Sequence, residues 1–527
     1  MSGAIPENPP PPAVTRLLDL AAEIVAARDG ITTARDAVCS APVDSPALAG
    51  LAEALDGEAR GLSEVLAGIY RLVELAEDSW DDVDGPDPLP GPERDRLRAT
   101  LDRAVDNALA DLARLTGTSV HPPADVAAGL DTRATVAAWA DADPDEVYST
   151  IEHMTRADRR LLALAEPEAV GGTYGVPWAV RARANAVSVR RALHREQIAG
   201  TPWSPRIGRL ETMARRTARR RRSFVGFSAR RGGRMIEVVG TPGPRTEAVA
   251  VYVPGTGTNL DMSHVNTDVV EDLVAASDGR LVAVAYLDGE FPQDIMTDAG
   301  RPHFALEMAP RLVRFCREVD RLIEIDCPGA EVTVVGHSYG GRIVGTAERL
   351  GLRADRIIYA ESPDLGVSVR GPADWRAPGP VRRFSFTAPA DPVELLQVRF
   401  GLRRRGSHAD LADGVVRLDT GFFDDDELVY GTRGHGGVFD RDCGAFRAML
   451  TVMLGGTTPL WREREIRARH TGVGRGEEGR VLPIVRRHLI GLWFRRDDAP
   501  YSEPEVLWEA PEELIEIPAP RAGQSRK

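Results

Sequence analysis

Apolar residues recur at helical spacing through the N-terminal part of the chain. Between residues 13 and 222 they repeat at i, i+3 and i+4 in several long segments, the clearest of which are Leu17 to Val25, Leu51 to Ala76 and Leu97 to Leu115. This pattern predicts a helical N-terminal region over residues 13–222. The run from Pro9 to Pro12 predicts a disordered leader over residues 1–12.

The pattern changes near residue 223, where short runs of β-branched and apolar residues begin. These predicted strands are Phe224–Ser228, Met235–Val239, Ala248–Val253, Leu281–Tyr286, Glu331–Val335, Arg356–Tyr359, Arg383–Thr387 and Val415–Leu418. Predicted helices lie between the middle ones, at Thr267–Ala276, Ala305–Ile325, Arg342–Leu352 and Pro392–Phe400. Apolar strands alternating with helices indicate an α/β fold with a mostly parallel, doubly wound sheet. We expect the first three strands, joined by short Gly-rich turns, to form an antiparallel edge.

The alternation of strands and helices ends near Gly456. We therefore place the α/β domain at residues 223–456 and a polar C-terminal extension at residues 457–527. The segment from Pro500 to Pro520 is rich in Pro and Glu, which predicts a tail with a loosely packed helix.

Lysine usage restricts the chemistry that this chain can perform. Lys and Arg together number 66 in 527 residues, yet Lys527 is the only lysine. Walker-type phosphate loops, pyridoxal Schiff bases and Ser–Lys dyads all need a lysine within the fold. We therefore expect the base of any catalytic site to be His, Asp or Glu.

Charge and cysteine content exclude further classes of function. A net charge of −13 disfavours binding of nucleic acid through its phosphates. The four scattered cysteines form no Cys-x-x-Cys pair, which disfavours a structural zinc site. We therefore expect no nucleic-acid partner, no metal and no cofactor.

The N-terminus lacks the cationic start and apolar core of a signal peptide, and no apolar run approaches the ~18 residues of a transmembrane helix. These features predict a cytoplasmic protein without a transmembrane segment.

The most informative motif lies at the end of the fifth predicted strand. Gly336-x-Ser338-x-Gly340 follows that strand directly and precedes an amphipathic helix. A strand–turn–helix elbow of this pattern exposes a nucleophilic serine, and its glycines allow the strand and the helix to approach where a Cβ would clash. Ser338 is therefore the candidate nucleophile. The alternative is an incidental serine in a Gly-rich turn.

A nucleophilic serine needs an imidazole base, which in turn needs a carboxylate to hold it. In a fold of this kind the acid and then the histidine follow the serine along the chain. Asp391 follows the seventh predicted strand, and His435 lies in a Gly-rich loop after the last one. Asp364 is the alternative acid and His408 the alternative base. Asp391 is also suited to capping the helix that follows it.

The oxyanion of an acyl-transfer intermediate needs two N–H donors. One candidate is the backbone of Tyr339, the residue after the nucleophile. The other lies in the Gly-rich turn from Val253 to Thr258, where we favour Thr256, with Gly257 as the alternative donor. A purely structural role for this turn stays open.

Several segments together resemble an actinobacterial α/β-hydrolase family of largely unknown function, in which a helical N-terminal region precedes the hydrolase domain. The resemblance covers residues 136–456 and rests on Pro177 to Asn185, Val253 to Thr258, Tyr286 to Gln293, the G-H-S-Y-G elbow at Gly336 to Gly340, and Gly434-His435 with Phe439-Asp440. It implies an α/β-hydrolase fold and a triad of Ser338, Asp391 and His435. The segment from Glu361 to Asp364 departs from the family's Gly-Ser-Pro-Gly step and adds two carboxylates near the predicted site.

These residues predict a serine hydrolase of esterase or lipase-like type, which cleaves the acyl ester of a small-molecule or lipid-like substrate. An acyltransferase with the same triad and a non-catalytic interaction protein with an α/β-hydrolase fold stay open as alternatives. The helical N-terminal region is suited to capping the pocket, to self-association or to binding a protein partner, and the sequence does not choose between these roles.

Overall fold

The computed structural model divides by internal contacts into two units, Met1–Val170 and Gly171–Lys527. The structure describes scattered positions from 31 to 92 and residues 132–139, 142–155, 158–159, 162–163, 166–198, 204–218, 223–295, 297–391, 393, 408–470 and 502–520. The predicted leader, most of the predicted helical segments before residue 132, and the predicted helix Pro392–Phe400 apart from residue 393 lie outside these ranges.

Short helices lie between residues 132 and 172, and the first unit ends within the last of them. They are α1 (Thr132–Ala138), α2 (Pro144–Glu152) and α3 (Pro167–Gly172). Helix α2 begins where the side chain of Asp143 accepts a hydrogen bond from the N–H of Asp145. Val147 and Ile151, four residues apart, form its buried face.

The second unit contains the sheet and the helices around it. Its helices within the described ranges are α4 (Trp178–Ile198), α5 (Pro205–Ala218), α6 (Ser263–Ala275), α7 (His303–Asp326), α8 (Tyr339–Arg349), α9 (Gly431–Gly437) and α10 (Gly444–Leu454). Its strands are β1 (Ser223–Ser228), β2 (Arg234–Val239), β3 (Ala248–Val253), β4 (Leu281–Leu287), β5 (Glu331–His337), β6 (Arg356–Ala360), β7 (Arg382–Phe386), β8 (Val415–Arg417), β9 (Gly456–Pro459), β10 (Arg464–His470), β11 (Ser502–Glu509) and β12 (Leu514–Ile517). All eight strands predicted before residue 456 are confirmed to within two residues.

Eight strands form one sheet in the order β1-β2-β4-β3-β5-β6-β7-β8. Strand β2 runs antiparallel to both of its neighbours, and every pairing from β4 to β8 is parallel. The expected antiparallel edge is thus correct for β1 and β2 but wrong for β3. Strand β3 is buried along its whole length between β4 and β5, so its apolar run belongs to the centre of the sheet.

The helices α4 and α5 lie in the same unit as the sheet, although the sequence pattern joins them to the N-terminal region. Asn185 on α4 donates a 2.9 Å hydrogen bond to the carbonyl of Phe224 on β1. Arg181 on α4 forms a buried ion pair with Glu318 on α7. Among the described helices, none is long and apolar enough to cross a membrane.

The described parts of the C-terminal segment form strands, and the expected loosely packed helix between Pro500 and Pro520 is wrong, since residues 502–509 and 514–517 are strands. Strand β10 pairs antiparallel with β11, and β12 pairs antiparallel with β9. The buried guanidinium of Arg464 binds Asp419 and Glu509 and so ties β10 to the loop after β8 and to β11. Arg356 on β6 donates a 2.8 Å hydrogen bond to the carbonyl of Pro518. Charged pairs join β10 to β11, and Ile517 is the buried apolar residue of β12, so these strands lack the long apolar runs that predict a strand.

Candidate active site

Three neighbouring strands end at the same level of the sheet, and the candidate residues follow their carboxyl ends. Strands β5 and β6 pair His337 with Ala360, and β6 and β7 pair Ala360 with Phe386. The N–H of Ser338 donates to the carbonyl of Ala360 at 2.9 Å, and the N–H of Glu361 donates to that of Phe386 at 2.7 Å. The register therefore places Ser338, Glu361 and the turn after β7 beside one another.

The turn between β5 and α8 is strained at the serine. Ser338 has φ +53° and ψ −122°, a conformation that residues with a side chain rarely adopt. A Cβ on Gly336 would lie 2.6 Å from the Cα of Gly341, and one on Gly340 would collide with the carbonyl oxygens of Val253 and Pro254. The two glycines of the motif are thus required by close approaches on both sides of Ser338, as the elbow predicts.

The Gly-rich turn after β3 packs directly on the serine. A Cβ added to Gly255 would lie 2.7 Å from the Cβ of Ser338. The N–H of Gly257 donates a 2.7 Å hydrogen bond to the carbonyl of Pro292, which disfavours Gly257 as an oxyanion donor. No hydrogen bond among the described residues takes up the backbone N–H of Thr256. Tyr339 opens α8, where the first N–H groups have no partner within the helix.

The turn after β7 fixes the candidate acid. Asp391 is 1% exposed and follows Ala390, whose φ is +57°. One oxygen of its carboxylate, Oδ1, accepts a 2.6 Å hydrogen bond from the N–H of Val393. The other, Oδ2, lies 2.8 Å from Nδ1 of His435. Asp391 thus makes the capping contact that a helix start would use and also binds the candidate base.

His435 lies in a short helix, α9, whereas the sequence predicts a Gly-rich loop. The N–H of Gly431, at the start of α9, donates to the carbonyl of Pro389 at 2.9 Å. A Cβ on Gly434 would lie 2.6 Å from that of Ala388, so glycine allows the helix to approach the turn after β7. Because a carboxylate can only accept, Nδ1 of His435 carries the proton of the bond to Asp391, and the lone pair of the neutral ring lies on Nε2.

His337, which precedes the serine, joins the elbow to α9. Its Nε2 lies 2.8 Å from the carbonyl oxygen of His435, so Nε2 carries a proton and donates it. Its Nδ1 can then accept from the hydroxyl of Tyr252, 3.3 Å away. Desolvation by burial, with a smaller contribution from His435, lowers the pKa of His337 from 6.5 to about 3. His337 is therefore neutral at physiological pH, and the sequence motif gave no signal of this contact.

The structure brings two of the three candidate residues into direct hydrogen-bond contact. Asp391 and His435 are bonded, whereas no hydrogen bond joins the Oγ of Ser338 to His435 among the described residues. Such contacts are often long in ligand-free hydrolases and shorten when substrate binds.

The alternative acid and base both have other partners. Asp364 forms a buried ion pair with Arg342, with Nε and Oδ2 3.1 Å apart, and it accepts a 2.9 Å hydrogen bond from the N–H of Gly366. Nδ1 of His408 accepts from the N–H of Asp410 at the start of the 3-10 turn Ala409–Leu411. These contacts favour Asp391 over Asp364 and His435 over His408.

A second carboxylate lies beside the Asp391–His435 pair. Glu361, Asp391 and His435 each offer one atom, and these atoms all lie within 4.8 Å of one another, close enough to hold a metal ion. Asp391, however, already accepts hydrogen bonds at both of its oxygens. Burial, followed by the charge of Asp391, raises the pKa of Glu361 well above its usual value. This shift disfavours the ionised form of Glu361 that binding of a metal ion requires.

Comparison with known proteins agrees with the architecture. The sequence model of a family described as Alpha/beta hydrolase matches residues 229–400, a range that includes Ser338 and Asp391 and ends before His435. None of the curated proteins matches the sequence.

Solved structures of esterases are among those similar to this chain. A thermostable esterase from Pseudomonas putida ECU1011 is 13% identical, with 50% of this chain and 93% of that chain covered and a TM-score of 0.28. One from Rhizomucor miehei is 13% identical over 44% and 86%, with a TM-score of 0.25. Carboxyl esterase 2 from Tuber melanosporum is 13% identical over 42% and 80%, with a TM-score of 0.27. The family match and the order of the mostly parallel eight-stranded sheet show that the second unit has the α/β-hydrolase fold.

Proposed function

We propose that this protein is a serine hydrolase that cleaves acyl esters, with Ser338 as nucleophile, His435 as base and Asp391 as the acid that holds the base. The observation that carries the proposal is the 2.8 Å hydrogen bond between Asp391 and Nδ1 of His435, located beside a serine at φ +53°. A carboxylate on Nδ1 directs the basic nitrogen Nε2 away from the acid and so toward a nucleophile.

In this mechanism Nε2 of His435 removes the proton of the Ser338 hydroxyl as Oγ attacks the acyl carbonyl carbon. The carbonyl π electrons move to oxygen, and the N–H groups of Tyr339 and Thr256 bind the resulting oxyanion. The C–O bond to the alcohol breaks as the oxyanion collapses, and the imidazolium of His435 gives its proton to the departing oxygen. Asp391 stabilises that imidazolium. In the second half of the reaction His435 removes a proton from water, which attacks the carbonyl carbon of the acyl-enzyme. The bond from that carbon to Oγ of Ser338 then breaks, Oγ takes the proton back from His435, and the free acid is released.

The hydrolysis of chromogenic p-nitrophenyl esters with short and long acyl chains tests this proposal. We expect turnover by the wild type and a loss of at least about 10³-fold in kcat for Ser338→Ala. Ser228→Ala is the matched control. Ser228 ends the edge strand β1, and three strands separate β1 from β5, the strand that Ser338 follows. Equal turnover by Ser338→Ala and the wild type would contradict the proposal.

The acyl acceptor is tested in the same assay by adding an alcohol. Free acid as the main product supports hydrolysis. A new ester as the main product would mean that the alcohol, rather than water, attacks the acyl-enzyme. The same triad would then belong to an acyltransferase.

A further inference from the structure

Glu361 lies at a position where a charged side chain is unexpected. It follows β6 directly, is 0% exposed, and has φ +50°, a backbone conformation that favours glycine. The neighbouring strand holds it in place, because the carbonyl of Phe386 accepts its N–H at 2.7 Å. The fold therefore fixes a fully buried carboxyl group at the carboxyl end of the sheet, between the elbow and the turn after β7.

The two oxygens of Glu361 have different surroundings. Oε1 accepts a 2.9 Å hydrogen bond from the N–H of Ala388. Oε2 is buried and receives no hydrogen bond from any donor in the described ranges. An oxygen of this carboxyl group lies within 4.8 Å of an oxygen of Asp391, and the negative charge of Asp391 disfavours the ionised form of Glu361. Two buried carboxylates this close together ionise at the same time only at a high cost in free energy, so one of them holds a proton.

The donors around the pair decide which carboxyl holds that proton. Asp391 receives two hydrogen bonds, one from the N–H of Val393 and one from Nδ1 of His435. From the described residues, Glu361 receives one hydrogen bond, from the N–H of Ala388. Donated hydrogen bonds stabilise the ionised form, so the charge lies on Asp391 and the proton on Glu361.

Charges on the other elements that face Glu361 act in the same direction. Asp410, in the 3-10 turn before β8, contributes a further negative charge. Asp410 is itself balanced by Arg417, 3.4 Å away, and by the hydroxyl of Thr387. Burial and the charge of Asp391 are the two largest causes that raise the pKa of Glu361. Ionisation of Glu361 would therefore add a second negative charge beside Asp391, and the charged groups of the described residues that act on Glu361, Asp391 and Asp410, are both acidic.

We infer that Glu361 is a neutral carboxylic acid whose O–H donates a hydrogen bond to Asp391, and that it is a positioning residue for the His435–Asp391 pair. The inference rests on the proposed function for its effect on activity. The O–H of Glu361 and the Nδ1–H of His435 hold the Asp391 carboxylate from two directions, which fixes its rotation toward the imidazole. The contact also keeps the total charge of the pair at one negative unit.

Two substitutions separate positioning from simple packing. Glu361→Gln reproduces the neutral acid, since the amide NH₂ can donate to Asp391 while its oxygen accepts from Ala388. Glu361→Met preserves the side chain's length and removes both contacts. We expect Glu361→Met to lower kcat/KM for ester hydrolysis by roughly 10- to 100-fold, the effect of a small misplacement of catalytic groups, and Glu361→Gln to recover most of that loss. Wild-type activity of folded Glu361→Met would overturn the positioning role.

The pH profile of the glutamine variant tests the charge. If Glu361 is neutral in the wild type, kcat/KM should fall on the acid side of its pH profile at the same pH in the wild type and in Glu361→Gln. If Glu361 is ionised, the substitution removes a negative charge beside His435 and shifts this fall to lower pH by about one unit or more. Such a shift would contradict the inference.

Infrared difference spectroscopy measures the proton without any need for activity. The wild type at neutral pH should show the C=O stretch of a protonated carboxylic acid that Glu361→Gln lacks. Glu290→Gln is the control, because Glu290 is exposed and its loss should leave that band unchanged. Absence of the band from the wild-type minus Glu361→Gln spectrum would refute the inference, whatever the activity. The band in a protein without esterase activity would uphold the proton on Glu361 and refute the proposed function.

Discussion

Replacing His337 by glutamine should make the unit with the α/β-hydrolase fold less sensitive to acid. The ring of His337 lies 5.1 Å from that of His435 and 5.0 Å from that of Phe439, measured between centroids. Its pKa falls from 6.5 to about 3 because these surroundings desolvate the charged form. As the pH falls through 6.5, the imidazole of His337 is protonated in the unfolded chain but stays neutral in the folded protein. The free energy of unfolding therefore decreases.

The magnitude follows from the two pKa values. Between about pH 7.5 and about pH 5, an unfolded-state pKa of 6.5 with a folded-state pKa of about 3 costs ~2 kcal/mol of unfolding free energy. The result is insensitive to the folded value, since any pKa below ~4 gives nearly the same figure over this range. His337→Gln removes the titration and retains a donor at the position of Nε2 for the carbonyl of His435.

Urea unfolding of the wild type and His337→Gln at the two pH values measures this difference. The wild type should lose ~2 kcal/mol more than the variant as the pH is lowered, because all other titrating groups are common to both proteins. NMR of ¹³C-labelled histidine gives a second readout, in which the signal absent from His337→Gln should not titrate above about pH 5. Equal pH dependence of the two proteins, together with titration of that signal near pH 6.5, would refute the neutral, desolvated His337.

The candidate site gives three further predictions. His435→Gln should lower kcat/KM for ester hydrolysis by at least about 10³-fold while His408→Gln stays within about twofold of the wild type, and equal losses in the two would contradict the choice of base. Asp391→Asn should lower kcat by on the order of 10³–10⁴-fold with retained folding, judged by circular dichroism, because the amide stabilises the wrong tautomer. Gly434→Ala places a Cβ 2.6 Å from that of Ala388, so it should displace α9 and lower kcat/KM at least about tenfold, and full activity in the crystallised variant would show that the approach is unimportant.

The sequence predicts the sheet and the elbow well because their signals are local. Runs such as Ala248–Val253 are apolar at every position, which only a strand buried on both faces requires. The glycines around Ser338 form a motif of fixed spacing, and the structure gives each of them a close approach that excludes a Cβ. Pairing direction is a non-local property, so the Gly-rich turns around β3 wrongly predict an antiparallel edge, whereas β3 pairs in parallel with β4 and β5.

The contacts around the candidate base could not be predicted from the sequence. Glu361 and Asp391 are thirty residues apart, and only the register between β6 and β7 brings their carboxyl groups together. The bond from His337 to the carbonyl of His435 likewise joins residues 98 positions apart. The Gly-rich sequence around His435 predicts a loop. The contacts that hold α9 come from the turn after β7 and from His337, and neither can be recognised in the sequence of α9.

The reactivity of Ser338 is the most direct test of the account. A fluorophosphonate forms a bond from phosphorus to the serine oxygen and expels fluoride only where a base activates that hydroxyl. Intact-mass and peptide mass spectrometry should find one adduct per wild-type chain, located on Ser338, and none on Ser338→Ala, with labelling strongly reduced in His435→Gln. A folded wild type that stays unlabelled, or one labelled at a different residue, would contradict the assignment of Ser338 as an activated nucleophile.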